Sequence, residues 1–107
     1  MKEKKRYLVF EVIAERRAGF HEVKEAVSKT ILGFVGSHGF ARLKPRLLAD
    51  RWDGQRQRGV VVVSRKWVDQ LRSALCLVTE VDRSPAIIRT LGVSGILRRA
   101  LSKFYLR

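Results

Sequence analysis

Four consecutive valines at residues 60–63 constrain the fold of this chain more than any other feature of its sequence. A short, continuous run of β-branched residues is typical of a strand that is buried on both faces inside a sheet. Residues 6–14 are similarly rich in aromatic and β-branched types and predict a second strand, also buried on both faces. Because such a sheet needs helices or a partner to cover it, the chain is predicted to form an α/β domain.

Hydrophobic spacing predicts three helices. The first opens at Gly19 and ends at Gly36 or Gly39, with an apolar stripe that runs to Phe34. The second follows Ser64 and the third follows Ser94, two residues that favour the N-cap position. In the last helix, apolar residues share one face and cations occupy the other, so this helix is expected to cover part of the sheet. Its apolar residues are Ile96, Leu97, Ala100, Leu101 and Phe104.

Three further strands complete the predicted order. A period-2 segment at residues 41–47 is expected to be an edge strand, because Pro45 cannot donate to a ladder. Residues 77–82 and 86–91 have strand character, and Gly92 is expected to end the last strand. The order β-α-β-β-α-β-β-α begins with the split βαβ pattern of ferredoxin-like and RNA-recognition-like folds. We therefore predict a single domain over residues 1–107, an α+β sandwich with an antiparallel sheet.

The formal net charge of +13, from 23 Lys plus Arg against 10 Asp plus Glu, predicts an anionic partner. Nucleic acid is favoured, because neutralising phosphates releases counterions. An anionic membrane surface is the less favoured alternative, and no apolar run approaches the ~20 residues of a membrane helix. We expect no membrane partner. The single cysteine, Cys76, excludes a disulfide framework and favours a cytoplasmic location.

The acid-free last quarter of the chain holds the strongest candidate phosphate site. A predicted turn between a strand and a helix contains Gly92, Ser94 and Gly95. Helix N-termini expose unpaired N–H groups that favour phosphate. An ordinary strand-to-helix connection with solvated arginines is the alternative interpretation. The cations around this turn are Arg89, Arg98, Arg99 and Lys103.

Two more basic sets are predicted to contact RNA. Arg65 and Lys66 begin the second helix, where cations oppose the helix dipole and an anion would relieve the conflict. A second set would form a ladder on one face of the predicted edge strand, with a solvated edge as an equal alternative. These residues are Arg42, Lys44 and Arg46. The N-terminal cations Lys4, Lys5 and Arg6 are interpreted as keeping a terminus soluble.

Catalytic and metal-binding constellations are poorly supported. His21 and His38 lie 17 positions apart without a spaced cluster of Cys or carboxylates, so no metal site is predicted. No glycine-rich nucleotide-binding loop is present. An acylphosphatase would rely on Asn, which this chain lacks. The valines also stand where RNA-binding sheets have aromatics, so base stacking on this sheet is not expected.

Residues 89–95 read RTLGVSG and are followed by Arg98-Arg99. With segments 6–8, 59–60, 63–66 and 71–75, this string resembles the protein component 2 family of archaeal ribonuclease P and its eukaryotic relatives. The resemblance implies an RNA-binding subunit that supports the catalytic RNA as it removes the 5′ leader from precursor tRNA. The chemistry and the Mg²⁺ would belong to the RNA, with no cofactor on the protein.

The same resemblance implies a set of partners. They are ribonuclease P RNA, ribonuclease P protein component 3, other ribonuclease P proteins and, indirectly, precursor tRNA. A homodimer within a heterotetramer is also implied. A protein-interaction scaffold of ferredoxin-like fold, whose charge confers only solubility, remains the alternative.

Overall fold

The computed structural model describes residues 4–107 and contains the predicted order of elements. The strands are β1 (Lys5–Ala14), β2 (Arg46–Leu47), β3 (Arg58–Ser64), β4 (Glu80–Val81) and β5 (Ser84–Ser94). The helices are α1 (Phe20–Leu43), α2 (Val68–Leu75) and α3 (Leu97–Ala100), which continues as a π-helical turn over Leu101–Tyr105. Short 3-10 helices lie at Ala49–Arg51 and Arg65–Trp67. The predicted order β-α-β-β-α-β-β-α is confirmed.

The five strands form one antiparallel sheet in the order β2-β3-β1-β5-β4. The central strand β1 pairs with β3 on one side and with β5 on the other. The split βαβ pattern is therefore confirmed with one change, since β5 rather than β4 returns beside β1. β4 lies outside β5 as a hairpin partner, joined by Asp82 and Arg83, whose φ angles of 50° and 63° suit a tight two-residue turn.

Both faces of the sheet are covered around β3 and the first half of β1, as the valine run predicts. On one face, Leu8 and Phe10 of β1 and Val61 and Val63 of β3 are buried in the core beneath α1 and α2. The alternate residues point to the other face. There Val9 and Val60 are buried with Ala100 of α3. The last helix thus covers part of the sheet, which confirms the prediction from its apolar face.

The first helix is longer than predicted. At Gly36 the backbone takes φ 77° and ψ 171°, a conformation essentially restricted to glycine, and the helix then resumes as far as Leu43. The predicted stop is therefore a kink. Phe34 is 45% exposed rather than buried, and Val35 packs against the core in its place.

The predicted edge strand at residues 41–47 is wrong over most of its length. Arg42 lies in the last turn of α1, and Lys44 ends that helix with its N–H donating to the carbonyl of Phe40 at 3.0 Å. Only Arg46 and Leu47 pair with β3, at the edge of the sheet as expected. Leu43, which is 1% exposed, explains the difference, because its burial in the core favours the helical conformation. Arg42, Lys44 and Arg46 therefore form no ladder on a strand face.

Two strand boundaries near the C-terminus also differ from the prediction. The strand at residues 77–82 is reduced to β4, because the N–H groups of Leu77 and Val78 donate to carbonyls in the last turn of α2. β5 does not end at Gly92 but runs to Ser94 through a register shift that leaves Leu91 unpaired with β1. The Phe104 ring lies over Gly92, where a β-carbon would be 2.4 Å from three ring carbons. Gly92 is therefore required for close packing of the last helix.

Candidate nucleic-acid interface

One end of the sheet collects cations from elements that are far apart in the sequence. At this end β1 begins and β3 ends, with Lys5 opposite Ser64, and the N–H of Arg65 donates to the carbonyl of Lys4 at 2.7 Å. Arg46 enters from the edge, opposite Val62. We call this region the basic end. Its cations are Lys4, Lys5, Arg6, Arg42, Lys44, Arg46, Arg65 and Lys66.

A surface groove of about 420 Å³ joins two of the predicted basic sets at the basic end. Arg42 and Lys44 reach it from the end of α1, while Lys66 and Trp67 reach it from the 3-10 helix that follows β3. The three cations are exposed and Trp67 is half-buried. Residues that the sequence predicts as two separate sites therefore line a single groove.

The start of the last helix also lies at the basic end. Tyr7 is opposite Ser94 in the sheet, and the Arg6 guanidinium lies beside Gly95, where a β-carbon would be 3.0 Å from Nη1. Arg98 and Arg99 are exposed on α3 immediately beyond this turn. Lys103 is exposed further along, in the π-helical turn.

The predicted phosphate-binding turn of Gly92, Ser94 and Gly95 is not a single turn. Gly92 lies within β5 under an aromatic ring, and Ser94 is the last residue of that strand. The Ser94 Oγ accepts a hydrogen bond from the N–H of Ile96 at 3.2 Å, while the N-cap position belongs to Ile96. The predicted N-cap role of Ser94 is therefore wrong. Its hydroxyl instead holds the turn that precedes the helix. Ser64 occupies the N-cap position of the 3-10 helix but makes no side-chain cap hydrogen bond.

Arg89 belongs to an ion-pair cluster on the sheet face that carries α3. The carboxylate of Glu11, 17% exposed, accepts from Arg89 Nη2 at 2.7 Å and from Arg58 Nε at 3.0 Å. Arg58, 15% exposed, also donates to the carbonyl of Tyr105 at 3.1 Å. Arg89 itself is 58% exposed, so one side of its guanidinium is held and the rest faces solvent. The cluster ties three strands to the end of the last helix.

The opposite end of the sheet carries acidic groups. A second groove lies between the first half of α1 and the β4–β5 hairpin, where β1 ends and β5 begins. Its lining is mixed in charge, with carboxylates from Glu22, Glu25, Glu80 and Asp82 and cations from Lys29 and Arg83. Among the described residues, the groove at the basic end is lined by three cations and no carboxylate. The basic end is therefore the surface best suited to phosphates.

Three further titratable side chains, Tyr105, His21 and His38, lie outside the ion-pair cluster. Burial, followed by the charge of Asp53, raises the pKa of Tyr105 above its ordinary value of 10.0, so this hydroxyl stays neutral near pH 7. His21 lies 3.6 Å from Glu25, and His38 is exposed elsewhere on α1. Within residues 4–107 no group of three or more His, Cys, Asp or Glu could hold a metal ion. No helix in that range is long and apolar enough to span a bilayer.

Sequence reasoning missed two kinds of residue at these sites. Lys4, Lys5 and Arg6 belong to the basic end, a placement that follows once β1 is paired antiparallel with both β3 and β5. Arg58 is the half-hidden centre of the ion-pair cluster. The sequence gives little indication of this role for Arg58, because an arginine that opens a strand differs little from any other basic residue.

Comparison with known proteins identifies the family. A sequence model of the Rpp14/Pop5 family matches residues 6–105. Ribonuclease P protein component 2 of Thermococcus gammatolerans is 46% identical over 97% of this chain and 85% of that protein. Its counterparts in Thermococcus kodakarensis and Pyrococcus horikoshii are 43% and 40% identical, with the same coverage.

A chain from a eukaryotic complex has a similar fold. A chain in the cryo-EM structure of yeast ribonuclease MRP matches with a TM-score of 0.72 at 14% identity, covering 92% of this chain and 79% of that one. The sequence matches support a subunit role in ribonuclease P. This chain belongs to the Rpp14/Pop5 family.

Proposed function

We propose that this chain is a non-catalytic, RNA-binding subunit of ribonuclease P that supports the catalytic RNA in removing the 5′ leader from precursor tRNA. The observation that carries the proposal is the basic end, where cations from β1, α1, β2 and the segment after β3 converge on one surface. Each phosphate that such a surface neutralises releases counterions and favours binding. The chemistry, with its Mg²⁺, is assigned to the RNA.

The basic end would hold the RNA backbone rather than read bases. Arg42, Lys44, Arg65 and Lys66 are exposed there, and Arg98 and Arg99 extend the surface onto the last helix. Backbone contacts of this kind position a protein on folded RNA without sequence information. Folded RNA brings phosphates close together, so added cations would stabilise its compact, active arrangement.

Protein partners fit a different part of the surface. Ile13 and Ile87 face each other across β1 and β5, 44% and 59% exposed, where α3 does not cover the sheet. We include ribonuclease P protein component 3, other ribonuclease P proteins and a second copy of this chain, within a heterotetramer, among the proposed partners. The proposal also places the assembly in the cytoplasm, with precursor tRNA contacted through the RNA.

Reconstitution tests the proposed function directly. Adding the chain together with protein component 3 to ribonuclease P RNA is expected to lower the Mg²⁺ concentration needed for precursor-tRNA cleavage and to raise the rate, because protein cations replace part of the metal's charge screening. Cleavage measured against Mg²⁺ concentration, with and without the chain, gives the result. An unchanged Mg²⁺ requirement and an unchanged rate would contradict the proposal. Binding to protein component 3 without any RNA protection would favour the scaffold.

A charge-matched pair of variants tests the basic surface. The slope of log affinity against log salt concentration is negative, and Arg98→Ala with Arg99→Ala is expected to reduce its magnitude by about two, since each lost phosphate contact removes about one. The control, Lys24→Ala with Lys29→Ala, removes two exposed cations from the first half of α1, where Lys29 lines the second groove. Equal slopes for the two variants would rule out a specific role for the last helix in RNA binding.

A further inference from the structure

The two tryptophans of the chain are placed very differently. Trp52 stacks on the buried ring of Phe10, with ring centroids 6.3 Å apart, and serves the core. Trp67 packs one side against the core and lines the groove at the basic end with the other. Among residues 4–107, no ring stacks on Trp67 and no group accepts from its Nε1–H. The half-buried indole therefore keeps part of its surface open to the groove, beside the cations.

The combination matches the physics of single-stranded nucleic acid recognition. Aromatic rings on which bases stack, beside cations that hold the backbone, bind single strands with little sequence preference. A paired base in an A-form helix has both faces covered by its neighbours, so only an unpaired nucleotide can reach the ring. The valines of β3 carry no such ring on the sheet, whereas Trp67 offers one in the groove at the basic end.

We propose that this groove binds an unpaired nucleotide of the partner RNA. The base stacks on Trp67, while Arg42 and Lys44 hold the adjoining phosphates. This inference rests on the proposed RNA-binding function and specifies which part of an RNA the groove takes: a bulge, loop or single-stranded joint rather than a duplex.

The test compares two probes of equal charge, a short single-stranded oligouridylate and an RNA duplex. The single strand is expected to quench tryptophan fluorescence, and the duplex is not. Trp67→Leu is expected to weaken binding of the single strand by about tenfold or more, the range typical of a lost base–aromatic stack, and to leave duplex affinity unchanged. Trp67→Phe keeps an aromatic ring and perturbs the fold less, so it is expected to lose less affinity for the single strand than Trp67→Leu. Arg42→Ala is expected to weaken binding of both probes and to reduce the magnitude of the slope of log affinity against log salt concentration.

The outcomes separate this inference from the proposed function. Full affinity of Trp67→Leu for the single strand, or absence of quenching on saturation, overturns the nucleotide site even when the chain still binds ribonuclease P RNA. Polyphosphate that quenches as strongly as the oligonucleotide also overturns it, because charge alone then explains the signal. Failure of the chain to bind any RNA overturns both proposals.

Discussion

Replacing Glu11 by alanine is expected to destabilise the fold by about 2 to 3 kcal/mol, somewhat less than removing one partner of a fully buried ion pair, because both side chains keep some exposure. Arg58 is 15% exposed and loses its only carboxylate among the described residues. Its remaining hydrogen bonds, to the carbonyl groups of Phe104 at 3.5 Å and Tyr105 at 3.1 Å, satisfy donors without neutralising the charge. Chemical denaturation monitored by circular dichroism measures the loss.

The two arginines provide matched controls for this prediction. Arg58→Ala leaves the Glu11 carboxylate, 17% exposed, with one partner and removes two hydrogen bonds to the end of the last helix, so it is expected to cost as much as Glu11→Ala. Arg89→Ala removes a side chain that is 58% exposed, and the screened pair is expected to contribute about 1 kcal/mol or less. Similar losses for the two arginine variants would show that burial does not govern this cluster.

Replacing Gly92 by alanine is expected to cost about 2 to 4 kcal/mol, because the new methyl group overlaps the ring of Phe104 and overpacks a close contact. A β-carbon there would be 2.4 Å from three ring carbons, so the ring and the helix that carries it must move. That movement would uncover Val9 and Val60, which are buried with the last helix. Thermal unfolding of the variant measures the cost.

A double-mutant cycle makes the Gly92 prediction specific. With Phe104→Ala already present, Gly92→Ala is expected to cost less by about 1 kcal/mol or more, since residues in contact are not additive. Gly33→Ala is the second control. A β-carbon at Gly33 meets nothing within 4 Å, and in a helix alanine is expected to stabilise by about 0.5–1 kcal/mol. Additive losses in the cycle would show that the Phe104 ring is not the cause.

The parts of the fold that sequence reasoning predicted are those with strong, redundant patterns. β1 and the valine strand each combine β propensity with burial on both faces, and their pairing follows from the split βαβ order. The segment at residues 41–47 had two compatible patterns, since Leu43 suits either a strand face or a helix stripe. Burial of that one side chain in the core decided for the helix, which local sequence cannot show.

The candidate site was predictable only as separate residues. The exposed cations were named from the sequence, but the meeting of Arg42 and Lys44 with Lys66 depends on the extra turns of α1 beyond its kink. The link between Glu11 and Arg89 joins positions 78 residues apart and requires the register of β1 against β5. Such long-range pairings follow from the assembled sheet and leave no mark in a local pattern.

The excess of cations at one end of the sheet, against mixed charges at the other, gives the molecule an electric dipole moment along its strands. In the field of a phosphate-covered surface, a dipole experiences a torque as well as a pull, so the molecule turns while it approaches. Encounters then begin with the cationic end inward, so the end of the sheet with mixed charges faces away from the phosphates as the molecule approaches.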